Sequence, residues 1–173
     1  CHCAQIPALV MDGTRYGNCY SKAKEKLDSG KMVLFTGTPC QIAGLYAFLG
    51  NKEYDKLYTV DLICHGVPSP LLFKKYLAYQ EDKLKEKIVS FDFRSKEKRG
   101  WATQYLLKTQ NKSKSRALKL DRYGKHFMDG DCYRESCYTC PYSDIKRVSD
   151  ITVGDFWGID KSHPEFSSAL GVS

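Results

Sequence analysis

The sequence predicts an α/β fold: a small parallel-sheet βαβ half, followed by a mixed, antiparallel strand-rich half that carries a cysteine cluster site. Three observations predict it. Short apolar runs alternate with amphipathic helical stretches up to about residue 87, the texture of a parallel sheet. Beyond residue 87 the pattern changes to period-two alternation with a hairpin signal. Cys132, Cys137 and Cys140 then stand in a C-x4-C-x2-C array closed by Pro141, a spacing that lets thiolates converge on one inorganic centre.

The elements follow in order. Tyr16 to Leu27 has the apolar spacing of an amphipathic helix and stops at Ser29-Gly30, and Met32 to Phe35 is a short apolar strand. Pro39 is suited to a first helical turn, and Ile42, Leu45, Tyr46, Phe48 and Leu49 continue one apolar face until Gly50-Asn51 ends it. Leu57 to Ile63 is the next strand, and Pro70 to Lys87 a long charged helix. Ile88 to Arg94 alternates as a half-buried strand does. Tyr105 to Thr109 and Ala117 to Leu120 read as further strands, with Asn111 to Ser115 as a hairpin loop. This second half is expected to be antiparallel and to cradle the cysteine array.

Size and composition decide how the cysteines are read. At 173 residues and 19.7 kDa the chain can bury about two-thirds of its unfolded surface without covalent staples. Its organisation is expected to be one compact domain over residues 30–173, with residues 1–29, an N-terminal remnant and first helix, packed on it. A chain that begins at Cys1 rather than Met is expected to be a fragment of a longer protein. There is no signal-peptide pattern, and no apolar run approaches the roughly 20 residues of a membrane span. A reducing cytoplasm is therefore the expected location, where eight cysteines serve as metal ligands or redox centres sooner than as disulfides. The net charge is +7, with much of the excess between Arg94 and Lys125. That stretch suits an anionic partner, whether a phosphate-bearing cofactor, an acidic protein surface or nucleic acid, and it equally suits a solvated surface.

Two thiols belong to strand-to-helix turns. In Val33-Leu34-Phe35-Thr36-Gly37-Thr38-Pro39-Cys40-Gln41 a buried strand runs through a Gly/Thr turn into a helix. A thiol there sits near unpaired backbone N–H groups and the positive end of the helix dipole, which favours thiolate. Cys64 repeats the arrangement in Asp61-Leu62-Ile63-Cys64-His65-Gly66. Parallel neighbouring strands place their C-terminal ends together, so Cys40 and Cys64 can share one crevice. His65 reads as a ligand, a proton donor or an ordinary turn residue. Cys137 and Cys140, in a C-x-x-C turn followed by proline, resemble the C-P ending of iron-sulfur runs. Zinc is the competing reading, although zinc ribbons use two such pairs.

The segments VLFTGTPCQIAGL, YTVDLICHGVPSP, FDFRSKEKRGW, RESCYTCPY and SDITVGDFWGI, in that order, resemble the C-terminal region of the coenzyme F420 hydrogenase/dehydrogenase beta-subunit family. The likeness covers nearly everything from Gly30 to Asp160. It implies an iron-sulfur flavoprotein oxidoreductase that passes electrons between a 4Fe-4S cluster and a hydride-carrying substrate, coenzyme F420 or similar, through FAD. Carried onto this sequence, the motif cysteines are Cys40, Cys64, Cys137 and Cys140. Were Cys132 a ligand instead of Cys40 or Cys64, its spacing would favour a plant-type 2Fe-2S centre. Thr36, Gly37, Thr38 and Gln41 would lie against flavin or cluster. Arg94, Lys98 and Trp101 would hold the flavin or an acidic substrate.

By the same likeness Asp150, Asp155 and Trp157 have structural tasks, the carboxylates satisfying turn N–H groups and Trp157 covering the cluster. Cys1, Cys3 and Cys19 match no motif; Cys19 reads as a helix-face hydrophobe. The longer relatives carry more chain before the equivalent of Gly30, many with a ferredoxin-like domain. The resemblance implies a redox partner protein or subunit and no membrane span, with oligomerisation open and nucleic acid disfavoured. The rival reading from composition is a zinc-stabilised module that recognises RNA or an acidic protein through the basic stretch.

Overall fold

The computed structural model describes residues 18–97, 103–155, 158–168 and 171–172. Its fold is α/β and divides into two compact units, the first built from residues up to Gly66 and from Glu135–Gly154, the second from Val67–Arg134 and from Asp155 onward. Residues 135–154 thus return to the first unit, taking Cys137 and Cys140 with them. Cys132 stays in the second.

In the first unit, α1 (Cys19–Asp28) leads to β1 (Val33–Gly37), α2 (Pro39–Phe48) and β2 (Leu57–Leu62). A later strand, β6 (Ile151–Val153), completes a parallel sheet in the order β1-β2-β6. One face of the sheet packs Val33 and Phe35 against Ala23 and Leu27 of α1 and Ile42 and Leu45 of α2, with Cys19 partly buried on the rim as a helix-face apolar group. Leu34, Tyr58, Ile151 and Val153 are exposed on the other strand positions. β6 is tied to β2 by Asp150, whose Oδ2 accepts from the Thr59 amide at 2.7 Å and the Thr59 hydroxyl at 2.8 Å. Asp150 therefore satisfies a strand N–H at the N-terminal end of β6 rather than a turn near the thiols.

The second unit contains α3 (Pro70–Leu84), the antiparallel sheet β3 (Ile88–Asp92), β4 (Gln104–Thr109) and β5 (Ser113–Ala117), and α4 (Arg122–Asp129). Three sequence expectations are corrected here. The strand expected at Ala117 to Leu120 is instead a 3-10 turn over Leu118–Leu120, while β5 occupies Ser113–Ala117, beginning within the expected hairpin loop. The cause is Asp121, whose Oδ1 accepts from the amides of Tyr123 and Gly124 and starts α4, so the chain must already be turning before it. The helix from Pro70 ends at Leu84, because Lys85 adopts a left-handed conformation with φ 55°. β3 ends at Asp92, whose Oδ1 accepts from the Arg94 amide and closes an Asx turn.

The core of this unit is aromatic. Phe73, Tyr76, Phe91, Phe93, Tyr105 and Tyr123 pack with ring centroids 4.6–6.3 Å apart. Gly124 lies against it with no room for a side chain, since a Cβ there would stand 2.3 Å from the Leu118 carbonyl oxygen. Gly124→Ala is expected to cost about 1–3 kcal/mol, measured as a lower urea midpoint with an unchanged slope. An unchanged midpoint would show that the Leu118 turn yields freely.

Two further elements, α5 (Glu135–Tyr138) in the first unit and α6 (Ile159–Ser162) in the second, are single helical turns, and a short ladder joins β7 (Ser167–Ser168) to β8 (Gly171–Val172). Lys98, Trp101 and Trp157 lie outside the described residues, as do Cys1 and Cys3.

Candidate functional site

Parallel pairing of β1 with β2 sets Gly37 opposite Asp61, so the chain leaves both strands at the same end of the sheet. From β1 it turns at Thr38 into α2, placing Cys40 at the second helical residue, exposed, with its Sγ 3.1 Å from the Thr38 hydroxyl. Gln41 folds back over this turn. Its Oε1 accepts from the Thr38 amide at 2.8 Å, and a Cβ on Gly37 would stand 2.6 Å from that same oxygen. The glycine lets Gln41 fold this closely over the turn, and a side chain there would have to displace the Gln41 amide.

From β2 the ladder runs one residue further, the Ile63 amide donating to the Val153 carbonyl at 2.9 Å. Gly154 permits the close approach, because a Cβ there would stand 2.7 Å from the Ile63 side chain. Cys64 follows at once, and Gly66, at φ 126°, turns its backbone N–H onto the Cys64 sulfur. Glycine is needed at that positive φ. His65 between them is exposed.

Cys137 lies in the single turn α5, not a reverse turn, and Cys140 follows directly; the Ser143 amide then donates to the Cys140 carbonyl at 3.2 Å. Arg147 holds this loop to the sheet. Its Nη2 donates to Asp61 Oδ1 at 3.0 Å and to the Leu62 carbonyl at 3.2 Å, its Nε to Thr152 Oγ1 at 3.2 Å, and its Nη1 to the Asp144 carbonyl at 3.3 Å. The Asp61 side chain is fully buried, and its Oδ2 has no hydrogen-bond partner among the described residues. Neither residue was anticipated from sequence, although a carboxylate inside the apolar run Tyr58-Thr59-Val60-Asp61-Leu62 is a signal that a buried cation must be found for it.

Burial pushes the Cys64 pKa up, the Gly66 N–H opposes it, and negative charge on Cys40, Cys137 and Cys140 pushes it up further. All four belong to the first unit. As they stand they do not close on one point: among the described residues no three His, Cys, Asp or Glu side chains form a metal-sized cage. Cys132, in the second unit, is raised by burial and by Asp131.

The remaining expected site residues divide. Thr36, Gly37, Thr38 and Gln41 form the turn before Cys40. Arg94, in the second unit, donates through Nη1 to Asp155 Oδ2 at 2.7 Å. Part of the basic stretch is neutralised locally: Lys108 pairs with Glu97, Lys112 with Glu86 and Lys125 with Asp129. A cavity of about 450 Å³, lined by Tyr46, Asn51, Lys52, Glu53, Tyr54 and Asp150 among others, lies at the N-terminal ends of β2 and β6, the end away from the thiols. Among the described residues no helix is long and apolar enough to cross a membrane.

Comparison with known proteins agrees with the strand-and-thiol pattern. A search of curated proteins finds no match. The family model describing the C terminus of the coenzyme F420 hydrogenase/dehydrogenase beta subunit matches residues 30–172, which include both thiol-bearing turns, the C-x-x-C loop and β6. The chain therefore belongs to the coenzyme F420 hydrogenase/dehydrogenase beta-subunit family, as its C-terminal region, and is an oxidoreductase subunit domain.

Proposed function

We propose that Cys40, Cys64, Cys137 and Cys140 hold a 4Fe-4S cluster and that the domain passes electrons between it and a hydride-carrying substrate, coenzyme F420 or similar, through FAD. The observation that carries the reading is that parallel pairing brings the Cys40 and Cys64 segments out at one end of the sheet, to which Arg147 ties the loop that follows Cys137 and Cys140. The donor set fits the group: four soft sulfur ligands on three separate segments, with the Gly66 N–H already directed at one sulfur. When bound, the flavin supplies exchange between hydride and single electrons, and the cluster supplies single-electron storage.

The chain's own residues supply position and field. Partial burial of Cys64 and the Gly66 N–H set the environment of one ligand, and hydrogen bonds to ligand sulfur of this kind raise a cluster's potential. Thr38 does the same for Cys40 through its hydroxyl. Gln41, engaged with Thr38, acts by shaping the turn against which flavin or cluster would lie, together with Thr36 and Gly37. Arg94, aimed by Asp155, supplies a cation for flavin phosphate or an acidic substrate, with Lys98 and Trp101 as further contacts. The beta-subunit family implies partner subunits, and a cytoplasmic redox partner completes the reading.

The test is anaerobic purification, followed by iron, sulfide, zinc and flavin determination on one sample, with Cys137→Ser alongside. About four irons and four sulfides per chain are expected, lost in the variant. Stoichiometric zinc without sulfide would overturn the redox reading in favour of a zinc-stabilised binding module.

A further inference from the structure

We infer that Arg147, anchored by Asp61, is the positioning residue of the thiol site: its guanidinium ties the loop that follows Cys137 and Cys140 to the strand end that presents Cys64. The inference rests on the cluster reading for its purpose, and on the hydrogen bonds of the first unit for its geometry. The fork reaches both sides of the site at once. Toward the sheet it donates to Asp61 Oδ1 and the Leu62 carbonyl, two residues before Cys64. Toward the loop it donates to the Asp144 carbonyl, four residues after Cys140, and to Thr152 of β6.

Register adds the third segment. Asp61 lies opposite Gly37 on one side and opposite Thr152 on the other, so the carboxylate sits in the row that ends in the Cys40 turn. The charged pair therefore bonds two of the three thiol-bearing segments together and lies in register with the end of the third. The cost of this arrangement speaks to its purpose. Asp61 is buried with one oxygen lacking a partner among the described residues, a poor way to gain stability and a sound way to fix an arginine in one geometry. Arginine alone among side chains offers donors spread over a rigid plane. Groups that orient metal ligands from behind typically change metal retention by about 10- to 100-fold when removed.

The test reads the clamp with and without a cluster. On the reduced, iron-free chain, dibromobimane bridges two thiols only when they stand within reach of one small linker, and mass spectrometry identifies the bridged pair. A bridge from Cys64 to Cys137 or Cys140 is expected in the wild-type chain. In Arg147→Lys, which keeps the charge and loses the fork, its yield is expected to fall about 10-fold. Asp61→Asn/Arg147→Met removes both charges, so the fold is relieved of an unpaired ion, and the same fall is expected. Asp150→Ala cuts a tie of the same sheet at the other strand end and is expected to keep the bridge.

On the iron-loaded chain, release to a chelator is expected to be about 10-fold faster in both Arg147 variants than in wild type, with a changed electron paramagnetic resonance line shape at equal far-ultraviolet dichroism. Folded variants that bridge and release iron as wild type does would overturn the assignment. An Arg147-dependent bridge in a wild-type chain that takes up no iron would support the clamp and overturn the cluster reading.

Discussion

Replacing Arg147 by methionine alone is expected to cost the first unit about 3–5 kcal/mol, the effect of leaving a buried carboxylate without its counter-ion. The Asp61 side chain has no solvent exposure, and Arg147 is the cation bonded to it. Methionine fills much the same volume, so the loss is electrostatic rather than a cavity. The double substitution Asp61→Asn/Arg147→Met is expected to recover most of the loss, because the isolated ion is gone. Urea unfolding, followed through hydrogen exchange of the β1 and β2 amides, confines the measurement to this unit. A single variant as stable as wild type would mean that Asp61 finds water or another donor once the guanidinium leaves. A double variant no better than the single would mean that the bonds to Leu62, Asp144 and Thr152 carry the energy.

Large parts of the fold were legible because they rest on local signals. Apolar runs bounded by Gly and Pro located β1 and β2, and Pro39 and Pro70 marked the first turns of two helices. The coincidence of strand ends followed from parallel pairing, which is why Cys40 and Cys64 could be assigned to one crevice. What escaped notice depends on residues far apart in sequence. β6 is three residues long and is fixed by Asp150 on Thr59 and by Arg147 on Asp61, 91 and 86 positions away. No local pattern marks so short a strand. Leu118–Leu120 looked extended because its leucines alternate, but the cap at Asp121 determines the turn. The partners that orient Gln41 and Arg94 were not legible either: Gln41 is engaged with Thr38 three residues before it, and Arg94 with Asp155, 61 positions away.

The aromatic core of the second unit is expected to make the protein sensitive to alkali. Burial raises the pKa of Tyr76, reinforced by the Asp121 carboxylate that its hydroxyl bonds at 2.9 Å; burial and then Asp121 push Tyr105 up to about 12; and burial, with the Cys132 thiolate, raises Tyr123. The unfolded chain releases these protons near pH 10, whereas the folded unit keeps them, so between the two values the unfolded state binds fewer protons and stability falls as pH rises. The contribution is complete below pH 10 and, for Tyr105, is lost by about pH 12. Each tyrosine contributes a slope of about 1.4 kcal/mol per pH unit, and three acting together about 4, enough to exhaust the stability of an ordinary domain within that window. Tyrosinate absorbance is expected to rise in two phases, surface tyrosines first and the buried set later. The second phase should coincide with the loss of near-ultraviolet dichroism. Tyr76→Phe is expected to remove about a third of the slope while lowering stability at neutral pH by about 1 kcal/mol for the bond lost to Asp121. Ionisation of all tyrosines in one phase near pH 10, with the dichroism intact, would show that the ring cluster admits water without unfolding.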